Sequence, residues 1–282
     1  MNKSKIILTL ISLSLILLSC SSDDDSANPE PETATNKLVK SEKISDTRQV
    51  SYTYNIDDLI SGIRGSYSSF DYSSDFSYNS DNKLTNWDYS ETGSSTYRDT
   101  YTYTYNSNGL LSAYTANTEN VIITYDGNTA TLSGQLEGDT NAQAVLELNA
   151  DGLVVKLIES DNYTNFGYDA NDNLISAKSY DNTDELLAEY TLEYDNNVNP
   201  FYGQLQSIYI ERFIEFFWEF DGIYIGGFEG YNFPYTKNNI TSIRKSGADT
   251  TTMVYSYDTD NYPIRVNADY SGTTLLFDIE YY

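Results

Sequence analysis

The sequence predicts an all-β fold, a large curved antiparallel meander or barrel-like sheet built from repeated hairpins, with one helix inserted near residues 204–220. Three observations carry this expectation. Large residues, mostly tyrosine, alternate with small polar ones over short runs; one phrase ending in a polar turn recurs along the chain; and a single long gap between copies shows helical periodicity instead.

The alternation defines the strands. Side chains along a strand point to opposite faces, so in Tyr101-Thr102-Tyr103-Thr104-Tyr105 the rings share one face and the hydroxyls the other. A helix cannot gather residues spaced by two on one side. The repeated phrase is a large residue, a spacer, a second large residue and Asn or Asp, then a polar turn and an apolar return. It reads Tyr52-Thr53-Tyr54-Asn55 to Leu59, Phe76-Ser77-Tyr78-Asn79 to Leu84, Tyr103-Thr104-Tyr105-Asn106 to Leu110, and Leu146-Glu147-Leu148-Asn149 to Leu153. Later copies are Phe166-Gly167-Tyr168-Asp169 to Leu174, Leu192-Glu193-Tyr194-Asp195, Phe233-Pro234-Tyr235 to Ile240, and Tyr255-Ser256-Tyr257-Asp258 to Ile264. A weaker copy is Ile123-Thr124-Tyr125-Asp126. Asn, Asp and Gly in the turns bond their own backbone or tolerate left-handed conformation. Nine phrases imply about 18 strands, and open twisted sheets beyond ~10 strands curl, split or close.

Copies begin at 52, 76, 103, 123, 146, 166, 192, 233 and 255, at spacings of 20 to 27 residues except for 41 between 192 and 233. The surplus points to inserted structure. Within it Gln204, Ser207, Glu211, Glu215 and Glu219 form a polar stripe at intervals of three and four, while Leu205, Ile208, Tyr209, Phe213, Phe216, Phe217 and Phe220 cover the rest. This predicts a helix docked on the sheet, across the mouth of its curved surface, with the three glutamates as a solvated stripe. Pro200 and Gly203 punctuate its start and Asp221-Gly222 its end. An aromatic strand is the competing reading of the stretch.

Ahead of the repeats the composition changes. Lys3 and Lys5 precede the apolar run Ile6 to Leu18, and Ser19 stands before the single cysteine, Cys20. This is the layout of an export signal, and at ~1.5 Å rise per residue the run is too short for a ~30 Å hydrocarbon core. Residues 1–19 therefore read as a signal peptide. Residues 20–36 read as a flexible acidic linker, too poor in apolar side chains to offset the entropy of ordering. Residues 37–282 read as a single β-repeat domain.

Leu17-Leu18-Ser19-Cys20 resembles the lipobox of bacterial lipoproteins, which implies that Cys20 carries lipid and becomes the first residue of the mature chain. Burying acyl chains contributes roughly 0.8 kcal/mol per methylene, so more than one chain makes a stable tether. Ser21-Ser22-Asp23-Asp24-Asp25 resembles the surface-export signal of Bacteroidetes lipoproteins and implies an outer-membrane location with the protein exposed at the cell surface. A solvated acidic spacer is the plainer reading of the same residues.

The phrases Phe166-Gly167-Tyr168-Asp169 through Asn173-Leu174, Tyr255-Ser256-Tyr257-Asp258 through Tyr262-Pro263, and Tyr194-Asp195 through Asn199-Pro200-Phe201 resemble degenerate tyrosine-aspartate repeats of the RHS type. More narrowly, they resemble Bacteroidetes lipoproteins of unknown function with a porin-like β-fold, over nearly all of residues 50–282. The resemblance implies a fold and no activity. The first copy departs from it, with Asn55 in place of Asp and no turn glycine. A membrane-spanning barrel needs an outward apolar band, whereas these strands oppose Tyr to Thr, Ser and Asn, so a curved sheet standing in water fits better.

The chain contains no histidine, which removes the commonest general base and metal ligand. Cys20 is committed to lipid, so thiolate chemistry goes with it. Carboxylates remain, but among 42 acidic residues a pair at glycosidase spacing arises by chance. Asp169-Ala170-Asn171-Asp172-Asn173 begins like a calcium loop, yet Leu174 stands where the glycine turn belongs and Tyr180 where the bidentate Glu belongs. No metal and no cofactor is expected. Loss of Lys3 and Lys5 with the signal takes the formal charge from −26 to −28, which repels phosphate backbones. Nucleic acid is thus excluded as a partner, leaving the membrane through the Cys20 anchor and a glycan or surface protein. Trp87 and Trp218 are the candidate residues for stacking on a sugar ring, although aromatic side chains on sheets ordinarily serve packing. The expected function is a non-enzymatic binding or structural role. The alternative is a carboxylate-based glycoside hydrolase or a glycan-binding protein of a polysaccharide-uptake system.

Overall fold

The computed structural model describes residues 36–136, 139–217, 234–248, 250–270 and 272–282. Cys20, Trp218 and Glu219, with the signal segment and nearly all of the linker, lie outside the described residues.

The alternating runs form strands. The first nine are Val39–Ser45 (β1), Arg48–Tyr54 (β2), Ile60–Tyr67 (β3), Phe70–Tyr78 (β4), Leu84–Thr92 (β5), Thr96–Tyr105 (β6), Leu111–Thr115 (β7), Asn120–Asp126 (β8) and Thr129–Leu136 (β9). The second nine are Asp139–Leu148 (β10), Val154–Ile158 (β11), Asn162–Tyr168 (β12), Leu174–Asp181 (β13), Leu186–Val198 (β14), Asn238–Lys245 (β15), Thr250–Tyr257 (β16), Pro263–Tyr270 (β17) and Thr273–Tyr281 (β18). Each pairs antiparallel with the next, and β18 returns to β1 with Val39 opposite Tyr281, so the meander closes into an 18-stranded barrel. Closure removes the unpaired edges that would otherwise template aggregation. The two ends of the barrel chain are hydrogen-bonded to each other, Tyr282 N–H donating to the Leu38 carbonyl at 3.1 Å.

The period-two pattern places the large residues inside. Tyr52, Phe76, Trp87, Tyr103, Tyr114, Phe166 and Phe277 are buried in one continuous core, while Ser51, Thr53, Asp75, Ser77, Asp88, Thr100 and Thr102 face outward and are exposed. One phrase departs from the expected array. Pro234 and Tyr235 lie in a turn ahead of β15, not in a strand. The ninth hairpin position is filled instead by β18, with β1, at the other end of the sequence, as its return strand.

The insertion between β14 and β15 is helical, as its periodicity predicts, with a 3₁₀ turn at Gln206–Ile208 and an α-helix at Tyr209–Phe217 (α1). Its placement differs from the expectation of a lid across the mouth. Residues 204–209 cross the rim, and α1 runs on among the inward side chains of the wall. Gln204 accepts the Ile60 N–H at 2.8 Å, Ser207 the Leu84 N–H at 3.0 Å, and the Tyr209 hydroxyl the Val154 N–H at 3.0 Å. Beyond that point Phe213 and Phe217 each lie 4.9 Å from Phe166, ring centre to ring centre. Burying such side chains stabilises by roughly 1.5–3 kcal/mol each. The barrel is a filled core rather than a channel along this helix.

Candidate functional site

The rim that carries α1 is built from one turn used repeatedly. In each, Asn or Asp ends a strand and its Oδ1 accepts the N–H groups two and four residues on. This holds for Asn55, Asn79, Asn106, Asn149, Asp169 and Asp258. The third residue after each has positive φ: Asp58 at 60°, Asn82 at 58°, Gly109 at 77°, Gly152 at 82°, Asp172 at 62° and Asn261 at 65°. Asn and Asp tolerate this left-handed conformation better than other L-residues. Asp58 therefore does the work of the glycine that the first copy lacks.

The tyrosine beside each turn has its own task. Its hydroxyl reaches sideways to the carbonyl that opens the return strand of the preceding hairpin. Tyr54 donates to Val39 at 2.9 Å, Tyr78 to Ile60 at 2.8 Å, Tyr105 to Leu84 at 2.6 Å, and Tyr125 to Leu111 at 2.9 Å. Tyr168 donates to Val154 at 2.7 Å, Tyr194 to Leu174 at 2.6 Å, and Tyr281 to Pro263 at 2.7 Å. On β16 the bridge differs: Tyr257, beside the turn, donates to the Asp195 carboxylate, and Tyr255, two residues earlier, donates to the Ile240 carbonyl within β15 at 2.8 Å. Together they stitch hairpin to hairpin around the rim. Burial raises the phenols of Tyr54, Tyr78, Tyr105, Tyr125, Tyr168, Tyr194 and Tyr281, those of Tyr105 and Tyr125 to about 12, so they stay protonated donors at physiological pH. At β10 the series is interrupted, because Leu148 has no hydroxyl to give. A depression of about 320 Å³ opens there, between Leu111, Tyr125 and Leu148 on the wall and Gln206, Tyr209 and Ile210 at the start of the helix.

Inside the barrel lies a polar cluster. Trp87, a sequence-predicted contact residue, is 8 % exposed, its ring stacked on Tyr101 at 4.9 Å and covered by the Arg212 guanidinium at 5.1 Å. It faces the lumen, not an open surface. Glu211, expected in a solvated stripe, is 0 % exposed and lies 3.3 Å from Arg212 Nη1; Glu215 is half-buried. The stripe reading fails because α1 is surrounded by the wall, so its polar side meets Tyr103 and Tyr114 rather than water. Burial pushes the Glu211 carboxyl up to about 8, opposed by Arg212 and reinforced by the like charge of Glu215. Glu211 is thus mainly protonated at neutral pH.

A raised carboxyl is also what an acid catalyst needs. Glu211, however, does not line the rim depression, and the glycoside-hydrolase alternative gains no support from its position. Asp169 serves its own turn: its Oδ2 accepts Asn173 Nδ2 at 2.9 Å, and Lys237 bonds the neighbouring Asp172 at 2.7 Å. No group of three or more carboxylate, thiol or imidazole side chains gathers to hold a metal among the described residues. The sequence reading missed both the buried Glu211–Arg212 pair and the break at Leu148. Only the second had a local signal, a Leu-Glu-Leu phrase among tyrosine phrases.

No family model matches the chain, and no curated protein matches it. Among solved structures it is similar to a porin-like protein from Bacteroides uniformis, at 11 % identity and a TM-score of 0.37 over 86 % of this chain and 98 % of that one. A porin-like protein from Bacteroides vulgatus is similar at 14 % identity and 0.39, over 87 % and 99 %. The TcdB2–TccC3–Cdc42 structure contains a similar region at 13 % identity and 0.30, over 79 % of this chain and 12 % of that chain. Likeness at this level assigns no function.

Proposed function

We propose that the protein is a lipid-anchored barrel displayed at the cell surface, standing in water beside the membrane and acting by binding or scaffolding rather than by catalysis. One observation carries the reading: the aromatic face of the strands is turned inward and packed, while hydroxyl, amide and carboxylate side chains predominate on the outward face, where Ile122, Leu187, Val254 and Leu276 are apolar exceptions. A barrel that spans a bilayer has the reverse arrangement, with an apolar band outside and a polar interior. The lipobox-like Leu17-Leu18-Ser19-Cys20 supplies the anchor in this reading, and Lys37, bonded to Asp258 at 2.6 Å, fixes to the rim the point where the leash reaches the barrel.

Fractionation of cells expressing the full chain and its Cys20→Ser variant tests it. The native chain should incorporate labelled fatty acid, sediment with membranes and be digested by protease added to intact cells. The variant should lose the label and appear in the soluble fraction. A Cys20→Ser chain that still sediments and requires detergent for extraction would show that the barrel itself is inserted, and the reading would be wrong.

A further inference from the structure

The rim depression at Leu148 differs from the surface around it in charge. The chain carries 42 acidic residues, yet the lining of this depression contains no charged side chain. Leu111, Leu148 and Ile210 with the rings of Tyr125 and Tyr209 form an apolar floor, and the amides of Asn128 and Gln206 stand exposed beside it. At about 320 Å³ it lies at the lower end of ligand-pocket volumes, roughly 300–1,000 Å³. Its position has a cause, since it opens where the tyrosine series is broken.

We propose that this depression binds one neutral sugar unit, the end of an uncharged glycan. A pyranose has an apolar face, which the rings and leucines can cover, and a hydroxyl edge that side-chain amides and turn backbone can bond. An anionic ligand meets the field of the acidic chain, and a cationic one finds no counter-charge in the lining. The proposal gives a ligand to the binding role above and names rim residues, not the tryptophans, as its contacts.

Titration of the chain from residue 20 onward, carrying Cys20→Ser, with methyl glycosides of glucose, galactose and N-acetylglucosamine tests it, with glucuronate as the charged control. At least one neutral glycoside should give a saturable signal in ligand-observed NMR, and glucuronate a weaker one. Leu148→Tyr restores the missing hydroxyl and fills the space, so it should weaken binding at least tenfold. Gln206→Ala, on an exposed side chain, should weaken it severalfold at an unchanged melting temperature, and it carries the test should the tyrosine variant misfold. Absence of any neutral glycoside signal, equal binding of glucuronate, or affinity unchanged in the folded variants overturns the proposal. None of these outcomes bears on the lipid anchor, which fractionation reads separately.

Discussion

Glu211 shows how one side chain can set a pH dependence for the fold. Its folded-state value lies above that of an exposed carboxyl because burial disfavours the charged form, so the native state holds a proton that the unfolded chain releases. Its contribution is therefore fully present below the ordinary carboxylate value of about 4.3 and is lost as pH rises toward about 8. Glu211→Gln keeps the shape and removes the titration. Urea melts should show the two chains alike in acid, with the variant gaining a few kcal/mol over the native chain above about pH 8, because each tenfold difference in proton affinity between the folded and unfolded states is worth ~1.4 kcal/mol. A variant less stable at every pH would show that the carboxylate, not the acid, is the form the lumen holds. The rim tyrosines make a second residue-level prediction. Tyr105→Phe leaves the ring in place and removes the bond to the Leu84 carbonyl, which should cost about 1 kcal/mol in the same assay.

At the scale of elements, the rim turns depend on backbone conformation more than on contacts. Asp58 at φ 60° is the residue where side-chain choice matters most in the first hairpin. Asp58→Ala should cost about 1–2 kcal/mol, the left-handed penalty for an ordinary L-residue, whereas Asp58→Gly should be nearly neutral. Thermal melts of the two variants separate conformational strain from lost side-chain bonding. The strands and these turns were legible in the sequence because period-two alternation and Asx spacing are local. The existence of α1 was legible for the same reason. Its burial was not, because Glu211 lies beside Tyr103 and Tyr114 and its neighbour Arg212 over Trp87, all roughly a hundred residues away in sequence, and a polar stripe reads alike whether it faces water or a buried cluster. Tyr235 misled for a related reason. It looks like a rim tyrosine and does donate to a carbonyl, that of Leu205 at 3.2 Å, but from the inserted segment instead of a strand.

For the whole molecule, a strand number near 18 follows from counting phrases, while closure depends on pairing the first strand with the last, which no local pattern encodes. The site was still harder to read. Its position rests on an absence at Leu148, visible only once the hydroxyls of the other hairpins are known to bridge their neighbours. Closure also bears on connectivity. Leu38 and Tyr282 are already joined by a hydrogen bond, so the ring of hairpins has no privileged first member. A gene rearranged to fuse residue 282 to residue 37 through a short glycine-rich link, with new termini opened in the turn between Asn106 and Leu110, should yield the same β-rich circular dichroism spectrum. Its order of synthesis would differ and its architecture would not.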